Sequence, residues 1–450
     1  MRKKTVKILS GIAITVVVLG VIYAVGVAIS SAKLRRAYAD LKNDGRSMNQ
    51  ADVIPPEVPN AENAALLYES AALLLKAQPA PEGNLLEYLG GLSSKFTTDS
   101  LEPDKLAELQ KLIEQDAVSQ ALSVIEDGTQ RRSCRFDYDY KAGFKGFNML
   151  LPHLAGLRDI IRILGARSCL EAEAGRPDAA WNLALTQLRL ADALRNEPII
   201  ISFLVRLASI STSCETIQRI CEVAPPNAEQ YKILENLLSD YEDRKPLILA
   251  LDGERLLCGE WAFNVVRNGS AMDRMDMSVS IGSGFGGVLL KLYSAFKPLL
   301  IADQAAYVRT MDEYTRFAQQ PYPPNDVSTI DRKAEQMRSR LNVITSMLVP
   351  AIGRVNERYW EIIAQMRVTR AGLAVLQEKQ TQGAFPQTLE GVKLKNLDDP
   401  FSTEPLCYKP QGQGFIIYSV GPDQKDNGGN PKEKKQKTDW DIVWSYTGGR

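Results

Sequence analysis

The sequence predicts a mainly α protein: antiparallel helical hairpins or a bundle, preceded by an N-terminal transmembrane helix and followed by a small C-terminal α+β domain. Three observations carry this expectation. Residues 8–29 contain no charged side chain. Between residues 60 and 320, apolar side chains recur at helical spacing in segments that often open on proline or asparagine. After residue 400 the pattern changes to short β-rich runs split by glycine. The expected divisions are a cytoplasmic tip and anchor over 1–36, a tether over 37–59, a helical body over 60–320, a linker and connecting helix over 321–354, and the α+β domain over 355–446.

Arg2, Lys3, Lys4 and Lys7 precede the uncharged run, and Lys33, Arg35 and Arg36 follow it. Ile8 to Ile29 makes 22 residues, and about 20 suffice to cross a bilayer as a helix. Ser30-Ser31-Ala32 is a candidate cleavage point, but the apolar run is longer than the core of a cleaved signal peptide. Retention is therefore expected, as a single pass of the cytoplasmic membrane with the bulk exported to the periplasm or envelope. The basic excess ahead of the span is slight, so this orientation draws little from charge.

Ala37 to Pro59 reads as a polar, proline-ended tether. Asn60 is an expected N-cap for a helix reaching Leu75, and Asp104 to Ile125 reads as one amphipathic helix. From Leu154 the chain is nearly all helix. Segments are expected over 154–174, from Pro177 to 195, from Pro198 to about 221, from Asn227 with Gln230 as a capping box, and from Pro246 to about 267. Short connections imply antiparallel neighbours. No clean 34-residue repeat is present, so a tetratricopeptide solenoid is a weak description. Asp326 to Leu348 is expected as a further helix. Val288 to Ile301 is apolar but carries Lys291, Lys297 and Pro298, so it is a candidate for contact with a partner or a membrane surface.

Composition excludes several classes. Lys plus Arg and Asp plus Glu both number 54, so the chain lacks the basic excess that nucleic acid demands. A single histidine, His153, argues against histidine-based zinc or acid–base sites and reads as a helix-end residue. The six cysteines form no C-x-x-C pair. Cys214 and Cys221, on one helix, would lie about 10 Å apart, too far to bridge. Gly282, Gly284 and Gly287 match a dinucleotide fingerprint by spacing, but no strand precedes them. Glu254 and Glu260 are six apart and fall on different helix faces. Asp137 and Asp139 alternate with tyrosines and read as solvated charges.

Val355 to Gln382 carries helical periodicity, and Gly383 with Pro386 ends it. Leu406 to Tyr408, Phe415 to Tyr418 and Asp441 to Trp444 are expected strands. Gly383-x-Phe385-Pro386-x-Thr388-Leu389, Asp399-Pro400-Phe401, Tyr418-x-x-Gly421-Pro422-Asp423 and Asp441-x-x-Trp444 together resemble the globular head of type II secretion major pseudopilins. The match covers about a fifth of the chain. It implies a pseudopilin-like α+β fold and a last loop that binds calcium, through hard oxygens. Carried over by position, Asp423 and Asp441 are the best-matching metal ligands, followed by Asp426, Asp439 and the carbonyl of Val420. Lys432, Lys434, Lys435 and Lys437 depart from the pattern and would repel a cation; a solvated loop without metal is the alternative.

The anchor is not a prepilin leader: with Gly11 as the cleavage glycine, the fifth following position is Val16, not glutamate. The run from Leu188 to Ile200 resembles the body of bacterial membrane-anchored proteins, a likeness from which no activity carries over. The expected function is a non-enzymatic envelope scaffold or interaction protein with protein partners, beside a secretion or pilus-like assembly, with a small-molecule substrate not expected. The alternatives are an envelope hydrolase using carboxylates such as Glu254 or Glu260 in a helical cleft, and a peptide-binding helical module.

Overall fold

The computed structural model describes residues 2–98, 101–138, 140, 151–270, 272–274, 291, 293–322, 342–349, 353–392, 394, 397–402, 404–433, 436 and 439–448. The Gly282–Gly287 motif, Asp139, Lys434, Lys435, Lys437 and most of the expected 326–348 helix lie outside these residues.

The chain is mostly helical, with one small antiparallel sheet at its C-terminal end. Helix α1 spans Arg2–Asn43. Its apolar part is exposed along its length and long enough to cross a membrane. It does not stop at residue 36: residues 37–43, expected in the tether, continue the helix. The cause is packing, because Ala37 and Leu41 are buried in one cluster with Val308. A short helix α2 (Gln50–Val53) follows.

Helices α3 (Ala65–Lys76), α4 (Leu85–Thr98) and α5 (Pro103–Ile113) pack with α7 (Pro152–Glu173), and α6 (Asp116–Thr129) packs mainly on α3. Two expectations shift here. Asn60 is not the cap of α3; Asn63 Oδ1 accepts from the Ala65 N–H at 3.1 Å and the Arg135 N–H at 2.9 Å, tying the helix start to a later strand-like segment. The single helix expected over 104–125 is two, because Gln115 is extended at φ −63°, ψ 143°. Its apolar period runs through the break since both pieces face the same core: Leu109, Ile113, Val118 and Ile125 are all buried.

Helix α7 turns through Gly175, at φ +73°, into α8 (Pro177–Ala191), and α9 (Ile200–Val223) packs on both. Helix α9 is apolar enough to cross a membrane but is largely buried inside the body. Asn227 accepts from the N–H groups of Glu229 and Gln230 while Gln230 receives the Asn227 N–H, the expected capping box of α10 (Ala228–Asp240). The segment expected from Pro246 is α11 (Lys245–Gly253), a π-helical turn (Glu254–Gly259) and α12 (Glu260–Asn268).

Helix α13 (Lys297–Gln319) lies along the second half of α1. Asp303, on α13, is fully buried and accepts from the N–H groups of Ile344 (2.8 Å) and Thr345 (3.2 Å), capping α14 (Val343–Leu348). Helix α15 (Gly353–Gln382) packs on α9 and α10 with one side and carries the sheet on another. The sheet is β1 (Cys407–Gln411), β2 (Gly414–Ser419) and β3 (Ile442–Tyr446) in that order, with Ile417 opposite Tyr408 and Trp444. The β1–β2 turn begins at Gly412, φ +58°, a left-handed conformation that favours glycine. One continuous apolar cluster runs from Ala64 to Tyr446 and includes α9, α15 and the sheet, so the C-terminal α+β part shares its core with the helical body.

Candidate functional site

The loop between β2 and β3 is built around Asp441. This residue is buried, and its carboxylate accepts the N–H groups of Gly429 (2.7 Å), Asn430 (3.1 Å) and Asn427 (3.3 Å). Asp423 accepts from the N–H groups of Lys425 at 3.1 Å and Asp439 at 2.8 Å. The two carboxylates meet at the Asn427 amide. Its Nδ2 is 3.3 Å from Asp423 Oδ2, 3.0 Å from the Lys425 carbonyl and 3.5 Å from Asp441 Oδ1. Two carboxylates and a carbonyl are hard oxygens of the kind calcium takes, but three are fewer than the roughly six to eight it needs.

The other three expected ligands are placed differently. Asp426 Oδ1 accepts from the Tyr418 hydroxyl (3.0 Å) and the Gly428 N–H (2.8 Å), away from that set. Asp439, at φ +63°, lends its backbone carbonyl to the Asn430 and Gln436 amides. Val420 donates its N–H to Asp399 Oδ2 at 2.8 Å. No group of three or more His, Cys, Asp or Glu side chains converges among the described residues, so a cation here would draw on backbone and amide oxygens as well. Lys432 Nζ lies 4.0 Å over the Trp440 ring, a cation–π contact that gives its charge a partner.

Asp399 explains part of the motif pattern on structural grounds. Buried, it accepts from the Phe401 N–H, the Ser419 hydroxyl and the Val420 N–H, and so pins the end of β2 to the chain that precedes β1. Burial pushes its carboxyl above the usual range, and these donors oppose the shift.

The carboxylates expected for hydrolytic chemistry face different neighbours. Glu260 accepts from the Tyr38 hydroxyl at 3.2 Å and lies 3.5 Å from Arg255. Glu254 instead meets the Ile200 N–H and Cys258. Burial pushes both carboxyls up. Separate partners of this kind do not assemble an acid–base pair. All six cysteines are free.

Sequence reasoning missed the pairing of His153. Its Nε2 is 3.1 Å from Glu197 Oε1, both side chains are buried, and the ring stacks on Phe136 at 4.3 Å. Glu197 belongs to the Leu188–Ile200 run, 44 residues away. A cavity of about 210 Å³ opens beside the ring, between Tyr68, Leu73, Phe136 and Leu157. The available signal was slight, a glutamate directly before Pro198 and the apolar Ile199-Ile200-Ile201.

Polar bonds join the end of α1 and the chain just after it to the body. Arg316 meets Asp44 at 2.8 Å, Arg46 donates to Gln319 at 3.1 Å, and Gln304 Nε2 reaches the Tyr38 hydroxyl at 3.3 Å. Arg255 donates to the Ser47 carbonyl. Burial first, then the Glu260 charge, pushes the Tyr38 hydroxyl up to about 12.

Compared with protein-family models, curated proteins and solved structures, the chain matches none.

Proposed function

We propose that this chain is a membrane-anchored interaction protein of the cell envelope, with no catalytic role, whose body is held in a fixed orientation on its own span. The observation that carries this reading is α1 itself. One helix is exposed and apolar through its first part, then buried against α13 through Ala37 and Leu41. A flexible tether would let the body swing; a continuous helix bonded at Tyr38, and just past its end at Asp44 and Arg46, holds it. Ser30, in the candidate cleavage point, is buried within that helix.

The C-terminal α+β part is the proposed contact surface for a type II secretion or pilus-like assembly, by its resemblance to a pseudopilin head. Calcium, when bound, would be held by Asp423, Asp441 and the Lys425 carbonyl, and would fix the loop between β2 and β3. The chain's own donors already order much of that loop through Asp441.

Crosslinking and co-purification from native membranes, with and without a calcium chelator, tests the reading. Recovery of secretion-assembly components, reduced on chelation, is the expected result. Equal recovery with chelator removes calcium from the account, and recovery of no reproducible partner contradicts the interaction role.

A further inference from the structure

Helix α13 begins beside the membrane-spanning part of α1, not beyond it. The Phe296 ring stands edge-on to Tyr23, with centroids 6.3 Å apart and planes at 79°. One turn further along α1, a Cβ added at Gly26 would lie 3.3 Å from Cβ of Pro298. Both contacts fall inside the uncharged run that ends at Ile29. At 1.5 Å rise per residue, Gly26 and Tyr23 lie roughly 5–9 Å inside the end of that run. Whatever touches them sits at the same depth. Phe296 is 57% exposed and Tyr23 37% exposed, so this aromatic pair presents an open apolar face.

We infer that the Phe296–Pro298 corner is a second membrane contact, inserted at the boundary between headgroups and acyl chains of the bilayer that α1 crosses. The inference rests on the retained-anchor reading. The depth is that of interfacial elements, which bury about 5–10 Å, and aromatic rings are enriched at that level. Charge placement agrees. Lys291 and Lys297 flank the corner, and Lys33, Arg35 and Arg36 follow the span on α1; all five are exposed. An apolar tip among these cations fits a lipid surface carrying anionic headgroups. Contact at Phe296 would give the body a second fixed point, so that α13 leaves the membrane at a set angle.

The test is photo-crosslinking of the full chain, reconstituted in vesicles of phosphatidylethanolamine and phosphatidylglycerol. A benzoylphenylalanine probe replaces Phe296, Tyr23 or Val223 in turn, and lipid adducts are read by mass. Val223 is an exposed apolar residue at the end of α9, beside the C-terminal sheet. Adducts from positions 296 and 23, with at least tenfold less from 223, are expected. Adducts from 23 but not 296 overturn the second contact while leaving the anchor intact. Absence of adducts at 23 overturns the anchor reading and this inference with it. Equal labelling at 223 also overturns it, since contact would then be collisional.

Discussion

Replacing Arg370 by alanine is expected to lower the stability of the whole chain by about 3–5 kcal/mol, the usual cost of removing one partner from a buried ionic cluster. Arg370 lies on α15 with its side chain almost fully buried. Its Nε donates to Glu235 at 2.9 Å, and Nη1 donates to Glu242. Glu235 is on α10 and Glu242 follows its end. Alanine would leave two largely buried carboxylates facing each other across a void, with Arg367, 3.0 Å from Glu242, as the remaining cation there. Arg370→Lys keeps the charge but loses the two-pronged geometry, so a smaller loss is expected. Denaturant unfolding monitored separately in the helices and at Trp444 checks this. Both probes should shift together, because α15 belongs to the same core as the body. A shift confined to Trp444 would mean that the sheet and its helix fold as a unit of their own.

Gly372→Ala is expected to destabilise by about 1–3 kcal/mol, as overpacking does. Helix propensity alone predicts the opposite, a gain of roughly 0.5–1 kcal/mol. The sign is decided by Trp444: a Cβ at Gly372 would lie 2.0 Å from its Cζ3 and 2.1 Å from its Cε3. The absence of a side chain at Gly372 is what lets β3 approach α15. Gly91, an exposed position on α4 with nothing within 4 Å of an added Cβ, is the control. Gly91→Ala should show the small gain. Melting curves of the two variants separate the effects, and equal gains would contradict the close approach.

Local signals were legible in the sequence and long-range partners were not. The uncharged run, the capping box at Asn227 and Gln230, the prolines at helix starts and the three strand segments all follow from residues within a few positions of one another. The structure places these elements within a few residues of expectation. The break at Gln115 escaped because both flanking helices turn the same apolar face inward. The reach of α1 to Asn43 escaped because the surface that stabilises it is some 270 residues later, at Val308 to Gln319. Periodicity at 355–382 showed a helix but not that it buries two sides, one against α9 and one against the sheet.

The candidate site was legible as residue types more than as geometry. Asp423 and Asp441 do come together, at the Asn427 amide. Asp426 turns instead to Tyr418, a pairing across eight residues that depends on the path of the loop. Asp399, read only as part of a motif, holds Ser419 and Val420 in place. His153 with Glu197 shows the same limit, since each residue looks ordinary until the fold joins them.

The measurement that tests the account most directly is the intact mass of the chain recovered from alkaline-washed membranes. A retained anchor gives the full 49.8 kDa chain, with its N-terminal residues present, in the membrane pellet. A shorter chain beginning near residue 33 and released to the soluble fraction would contradict it, because the helix that fixes the body to its span would then have been cut.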